Sequence, residues 1–323
     1  MAGTSPIPAG TKRATSPVVA VMTHDLSPLF RPLVTSLLAQ VDEIGAELHV
    51  IASEPSPDTR SWLGSRSGRL TVVETPPRCG PGAARNAALG ARPDAPAYYF
   101  FDDDVILLGG ELAALARMLE SGEQVGLVSG FPTTEDGVPL VPLFTRRPLD
   151  RAVPELWNRW WGPRPEDSME GRLEADLVSP ASIGIRGSAA REVGGFDAVF
   201  WPGCHEDTDF CARLRLAGYK ILVDPSLVIR QKVSTTMGHV LGTRHWTFCR
   251  STGVLYAVMD YPAPLAGGRL AEAVLRSFIG PGIARRGDAE GVLRTAQHWR
   301  HVLHRRRTNR RLIERRRRLP PPA

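Results

Sequence analysis

Apolar residues run unbroken from Val18 to Met22 (VVAVM), the pattern of a strand buried on both faces. Leu29, Leu33, Leu37 and Leu38 then recur at helical spacing and predict a helix over residues 28–40. Leu48–Ala52 (LHVIA) predicts a second strand, followed by the breaker-rich run SEPSPD, and Leu70–Val73 predicts a third. Gly80-Pro81-Gly82 opens a helix through Leu89, and Tyr98–Phe101 (YYFF) is a fourth strand that runs directly into three aspartates. Leu112–Leu119 is the next helix. Such strand–helix alternation predicts a mostly parallel sheet with right-handed crossovers. Residues 125–130 read as a further strand, 131–175 as irregular chain and 176–186 as extended chain. Arg186–Val193 and Glu206–Ala217 read as helices, Ile221–Val223 and Leu227–Ile229 as short strands, and the chain beyond about residue 238 as mostly helical. No internal repeat is present.

The 323 residues, 42% of them hydrophobic, suffice for one large α/β core. Residues 1–17 are rich in Pro, Ser, Thr and Gly and lack an apolar core segment, so they read as a loose leader and not as a signal peptide. No apolar run reaches the ~18 residues of a spanning helix, which points to a cytoplasmic protein or one on the inner face of a membrane. Cys79, Cys204, Cys211 and Cys249 form no CxxC pair, and reduced thiols are the simple expectation. Charge changes the picture more. Residues 285–318 hold 13 Arg against Asp288, Glu290 and Glu314, a net of +10, which leaves −4 for the rest of a chain whose total is +6.

Three features carry candidate chemistry. The first is Asp102-Asp103-Asp104 directly after YYFF. Carboxylates at the carboxyl end of a parallel strand stand where open α/β sheets bind ligands. Three so close call for a cation, and hard oxygen ligands suit Mg²⁺ or Mn²⁺, which also hold substrate phosphates. An acidic loop before a helix is the plainer reading of an isolated DDD, and the preceding strand argues against it. The second is Gly80-Pro81-Gly82-Ala83-Ala84-Arg85-Asn86, where glycines admit a ligand to the backbone and Arg85, one turn into the helix, can fork onto a phosphate or a carboxylate. An ordinary turn explains it equally well when taken alone. The third is Gly194-Gly195-Phe196-Asp197 followed by His205-Glu206-Asp207-Thr208-Asp209-Phe210. Dipole capping accounts for one or two acids at a helix start; three within four residues suit a general base.

In their order along the chain, VVAVMTHD, IASEPSPDT, GPGAARNAAL, FFDDDV, GGFD and HEDTDFCARLRLAGYKI resemble the family 2 glycosyltransferases of bacteria, over roughly residues 18–260. The resemblance implies a GT-A fold: a Rossmann-like, mostly parallel sheet flanked by helices. Here that domain spans residues 18–240, with a nucleotide-binding half to about residue 105, an acceptor half after it, and a helical basic extension over 241–323. It implies transfer of a sugar from a nucleotide diphosphate sugar, of the UDP or dTDP type, to a hydroxyl acceptor, with inversion. By the same resemblance Thr23 and Glu54 face the nucleotide base, Asp102 reaches the ribose, Asp103 and Arg85 lie in the donor site, and Asp104 holds the metal together with Asp102. Asp207 is then the general base beside Glu206, and Asp197 lies on the acceptor side. The acceptor classes implied are glycolipid, polysaccharide or secondary metabolite.

Two departures from the family pattern stand out. Ser53-Glu54-Pro55-Ser56 replaces the usual Asp-Asp-Gly-Ser, and Gln231 stands where a metal-binding His often follows the last strand. An amide oxygen is a weaker ligand than imidazole but acceptable to a hard ion, and Arg230 and Lys232 lie beside it to share the diphosphate charge. Gln231 also motivates a rival reading, a catalytically weak glycosyltransferase-like scaffold at a membrane; the retained acids argue against it. A nucleotidyltransferase would need a basic glycine-rich loop near the N-terminus, which residues 18–35 lack. Trp157, Trp160 and Trp161 offer faces for an acceptor sugar, with core packing or lid anchoring an equal alternative. Val292, Ala296, Trp299 and Leu303 fall near one helical face and predict a basic amphipathic helix for an anionic membrane surface, with a solvated tail the next alternative. No recognition motif points to nucleic acid.

Overall fold

The computed structural model describes residues 16–24, 27–137, 171–178, 180–232, 243–280 and 282–318. Its first half alternates as β1 (Val18–Thr23), α1 (Phe30–Gln40), β2 (Glu47–Ser53), α2 (Pro57–Gly64), β3 (Thr71–Thr75), α3 (Pro81–Ala91), β4 (Ala97–Asp102), β5 (Val105–Ile106) and α4 (Glu111–Glu120). There follow β6 (Val125–Thr133), β7 (Leu173–Ala175), β8 (Ser182–Arg186), α5 (Gly187–Val193), α6 (Glu206–Ala217) and β9 (Lys220–Gln231). Four helices complete the described chain: α7 (Thr243–Asp260), α8 (Ala263–Ile279), α9 (Gly282–Gln297) and α10 (Trp299–Arg318).

The strands form one sheet in the order β3-β2-β1-β4-β8-β6-β9-β5, with β7 joined to β9. β3, β2, β1 and β4 are parallel; β8 runs antiparallel between β4 and β6, and β6 is parallel to β9. The alternation inside VVAVM sorts the core. Val19 and Val21 join Leu33, Leu37, Val50, Leu112 and Leu115 on one face. Val18 and Ala20 join Ala84, Ala88, Phe100, Ile183, Phe210 and Leu214 on the other. The strand is buried on both faces because helices cover both.

Two segments fold differently from their sequence pattern. The breaker-rich SEPSPD starts a helix: the Ser56 hydroxyl caps α2 by accepting from the Thr59 amide at 3.2 Å, and Pro57 takes the first helical position. The two short strands near residue 225 are one strand, β9, with a bulge. Its register against β6 jumps from Gly130↔Asp224 to Phe131↔Val228, so residues 225–227 are looped out. Gly130 is required there, since a Cβ would lie 2.5 Å from the Leu227 carbonyl oxygen.

The basic C-terminus also differs from expectation. The single amphipathic helix through Val292, Ala296, Trp299 and Leu303 is divided at His298, and Trp299 and Leu303 are exposed. α10 instead buries Val302, Asn309 and Leu312, and Leu312 belongs to the main core beneath α6. Arg306 donates to the Val258 and Tyr261 carbonyls, Arg316 to the Arg215 carbonyl, and Asn309 to Asp260. Much of the arginine run thus anchors a structural helix.

Candidate active site

β1 and β4 lie side by side, with Met22 paired to Asp102, so the chain leaves both strands at the same carboxyl edge. Thr23 ends β1 and donates its hydroxyl to Asp103 Oδ2 at 2.6 Å. That bond ties the first strand to the aspartate cluster, and Thr23, expected to face a nucleotide base, is 3% exposed. Glu54 stands just past β2 at the same edge, exposed, with φ of 53°. The β9 bulge carries Gln231 opposite Val105 in β5, and its amide donates to Asp104 Oδ1 at 3.0 Å. Asp102, Asp104 and Gln231, the expected metal set, therefore gather around the turn between β4 and β5.

Arg85 links this edge to the second half of the chain. One end of its guanidinium donates to Asp102 Oδ1 at 3.1 Å and the other reaches Glu206 Oε1 at 3.5 Å. Its plane also lies 5.4 Å from the Phe196 ring centre. The fork falls on carboxylates, one of the two contacts the sequence allows for it. Arg85 is 1% exposed, and between Asp102 and Glu206 it positions both.

α6 starts at the same place. Cys204 and His205 both have positive φ, 67° and 71°, which turns the chain sharply so that Glu206 and Asp207 open the helix. Glu206 is buried against Arg85, while Asp207 is half-buried and accepts from the Thr208 amide at 2.7 Å. His205 is fixed by Thr252 at 3.1 Å and lies over Tyr256, and burial lowers its pKa to about 4, so the ring is neutral. Cys204 and Cys249 form a disulfide across 45 residues, which ties this turn to α7 and corrects the expectation of reduced thiols there; Cys79 and Cys211 are free.

Burial raises the pKa of all three aspartates. Asp104 is pushed up to about 7 by burial and then by the neighbouring Asp102, against the Gln231 hydrogen bond. Glu206 is likewise pushed up to about 7 by burial and Asp207, against Arg85. Carboxylates held so far from their ordinary range are what a cation would relieve. Among the described residues no three His, Cys, Asp or Glu side chains converge into a closed metal cage. Two carboxylates and an amide are the hard oxygen donors that ions of the Mg²⁺ or Mn²⁺ type take.

Asp197 behaves otherwise than expected of an acceptor residue. It is 7% exposed, and one oxygen accepts from the Val199 amide. The other is shared by His301 at 2.7 Å and Arg305, both on α10. Its carboxylate is thus consumed in joining the GGFD turn to the C-terminal helix, and these partners hold its pKa far below the carboxylate range despite burial. Trp157, Trp160 and Trp161 lie outside the described residues.

Residues to which the sequence reading gave no separate role build the frame. Asn86 makes reciprocal bonds with the Phe196 backbone at 2.7 and 2.8 Å, which docks α3 on the GGFD turn. Gly195, at φ of 70°, has no room for a Cβ, which would lie 2.6 Å from Asn86 Oδ1. Asp209 and Arg213 pair with both side chains fully buried, and Arg213 donates to the Val193 and Gly195 carbonyls. Their i,i+4 spacing was the available signal. Trp201, half exposed, bonds the Arg78 carbonyl at 2.6 Å and closes over Gly80.

No protein-family model matches the sequence. A segment of 110 residues, 33% of the chain, is 33% identical to the pre-mycofactocin glycosyltransferase of Mycobacterium tuberculosis. That segment spans 23% of the relative's length. Among solved structures, the mannosyltransferase PcManGT of Pyrobaculum calidifontis, in complex with GDP-Man and Mn²⁺, superposes with a TM-score of 0.52 at 17% identity, over 92% of this chain and 86% of that one. TarS 1–349 of S. aureus, in complex with UDP, superposes at 0.52 and 15%, over 93% and 90%. GalNAc-T7 with UDP, GalNAc and Mn²⁺ does so at 0.53 and 13%, over 67% and 43%. With its mostly parallel open sheet flanked by helices, and its acids at the sheet's carboxyl edge, the chain has the GT-A fold of these glycosyltransferases.

Proposed function

We propose that the chain transfers a sugar from a nucleoside diphosphate sugar to a hydroxyl acceptor, inverting the anomeric centre. One observation carries this reading: Arg85 joins Asp102 at the end of β4 to Glu206 at the start of α6, which lies 121 residues beyond Arg85 in sequence. That single cation sets a nucleotide-side carboxylate and an acid–base pair on two walls of one cleft. A nucleotide-binding fold without transfer chemistry has no use for the second wall.

The donor's nucleoside lies along the edge of β1 and β2, near Thr23 and Glu54, with Asp102 toward the ribose. Asp104, Asp102 and Gln231 would hold a divalent ion, which neutralises charge on the departing diphosphate. Thr23 fixes Asp103, and Gln231 fixes Asp104, so the acids are oriented before substrate arrives. Asp207, more open to the cleft than Glu206, takes the proton from the attacking hydroxyl on the side opposite the diphosphate. Glu206, sealed against Arg85, positions the start of α6. The acceptor is a hydroxyl of a glycolipid, polysaccharide or small metabolite.

Asp207→Asn tests the assignment, since it keeps shape and removes proton-accepting power. Turnover, read as nucleoside diphosphate release, falls ~10²-fold or more with donor affinity unchanged. An active Asp207→Asn enzyme beside a dead Glu206→Gln one would reverse the two roles. Retention of the donor's anomeric configuration in the product would rule out direct displacement.

A further inference from the structure

α8 is built inside out. Every residue of this 17-residue helix that is exposed is apolar or small: Ala, Pro, Gly, Leu, Val, Phe or Ile. Pro264, Gly268, Ala271, Leu275 and Phe278 follow one another at helical spacing along the outer stripe. Exposure peaks at the C-terminal end, where Leu275 is 58%, Phe278 75% and Ile279 73% exposed. A Cβ at Gly267 or Gly268 would meet no atom of the described residues within 4 Å, so none of these covers the stripe at those two positions. The charged residues of α8 are turned away from it. Glu272 bridges Arg269 at 3.3 Å and Arg276 at 2.6 Å, and Arg269 reaches the buried Asp288 of α9 at 3.5 Å. A helix on the surface of a water-soluble domain carries the opposite pattern.

We infer that α8 docks on an anionic lipid bilayer, lying in the plane of its surface. The helix is about 25 Å long, and no described helix is long and apolar enough to cross a membrane, so it rests on the bilayer. Charge selects the lipid class: residues 263–318 hold 15 Arg against Glu272, Asp288, Glu290 and Glu314, a net of +11. Arg285 and Arg286 are exposed just past the apolar tip of α8. Basic residues beside an apolar helix face fit anionic headgroups over acyl chains. A second copy of the chain would bring +11 against +11. A protein partner would find no side-chain hydrogen-bonding group on the stripe, whereas protein interfaces carry about one hydrogen bond per 100–200 Å².

The test is flotation of the full chain with vesicles of phosphatidylcholine alone and of phosphatidylcholine mixed with phosphatidylglycerol, with a melting curve for each variant. The protein floats with the mixed vesicles and stays behind with the neutral ones. The double variant Phe278→Asp, Ile279→Asp changes only exposed side chains. It keeps the wild-type melting temperature and binds about tenfold more weakly or worse. Hydrogen exchange gives an independent readout, with residues 264–279 protected by mixed vesicles. Equal flotation of variant and wild type would overturn the inference, leaving the arginines alone to bind lipid. So would a vesicle-indifferent dimer that the double variant makes monomeric, which would give the stripe to a second copy.

Discussion

Arg85 and Asp197 were both read in the sequence as ligand-facing; in the structure Arg85 pairs with Asp102 and Glu206, and Asp197 with His301 and Arg305 of α10. Sequence shows that a residue can make a charged contact, but not which of several charged partners the fold brings near; here these lie 121 and 108 residues away. The local motifs were legible because each is set by its own strand end or helix start: Asp102–Asp104 after YYFF, and Glu206-Asp207 at the start of α6. Two predictions follow from the buried acids. Glu206 has its pKa raised to about 7 from an ordinary value near 4.5. Between those pH values the unfolded chain binds fewer protons than the folded one, so Glu206 makes stability fall as pH rises through the window. In metal-free protein, Glu206→Gln should flatten that part of the profile of melting temperature against pH. Asp197 has the opposite sign. Its lowered pKa contributes stability that is present above pH ~4 and is lost on further acidification. Asp197→Asn leaves Arg305 without its carboxylate and should cost about 3 kcal/mol or more at pH 7. Denaturant unfolding at pH 7 checks the size, and a gap between variant and wild type that narrows progressively as the pH falls below ~4 checks the sign.

At the level of elements, the sequence pattern was right where a run had one face or two to bury and wrong where a local device overrode it. β1, α3, β4 and α6 appear within a few residues of their expected bounds. α2 was hidden because Ser56 and Pro57, which break helices in the interior, start one when they fall at its first turn. β9 was split because Pro225 and Ser226 are looped out of a continuous strand. α10 was misjudged for a different reason: an arginine run suggests a solvated face, yet Arg305 and Arg306 point inward to an acid and to backbone carbonyls. A chain ended at Gln297 loses the buried Val302 and Leu312 together with both α10 partners of Asp197. The summed loss is about 5 kcal/mol or more, comparable to a domain's whole stability. Such a chain should melt far below the full-length protein or fail to fold cooperatively; an unchanged melting curve would return α10 to the status of a solvated tail.

Across the whole molecule, charge and shape divide the labour. The sheet's carboxyl edge gathers acids, while the helices after residue 262 gather arginines and turn one apolar stripe outward. Among the described residues Arg85, Thr23 and Gln231, with the protons the raised pKa values retain, offset the repulsion within this set of like charges. A divalent ion with a diphosphate would replace those protons. Calorimetric titration of UDP, dTDP and GDP into the protein, with and without Mn²⁺, reads this directly. At least one of the three binds in the presence of Mn²⁺ and not in its absence, and Asp104→Ala abolishes that binding without lowering the melting temperature. Failure of all three nucleotides to bind with Mn²⁺, or equal binding by Asp104→Ala, would contradict the account.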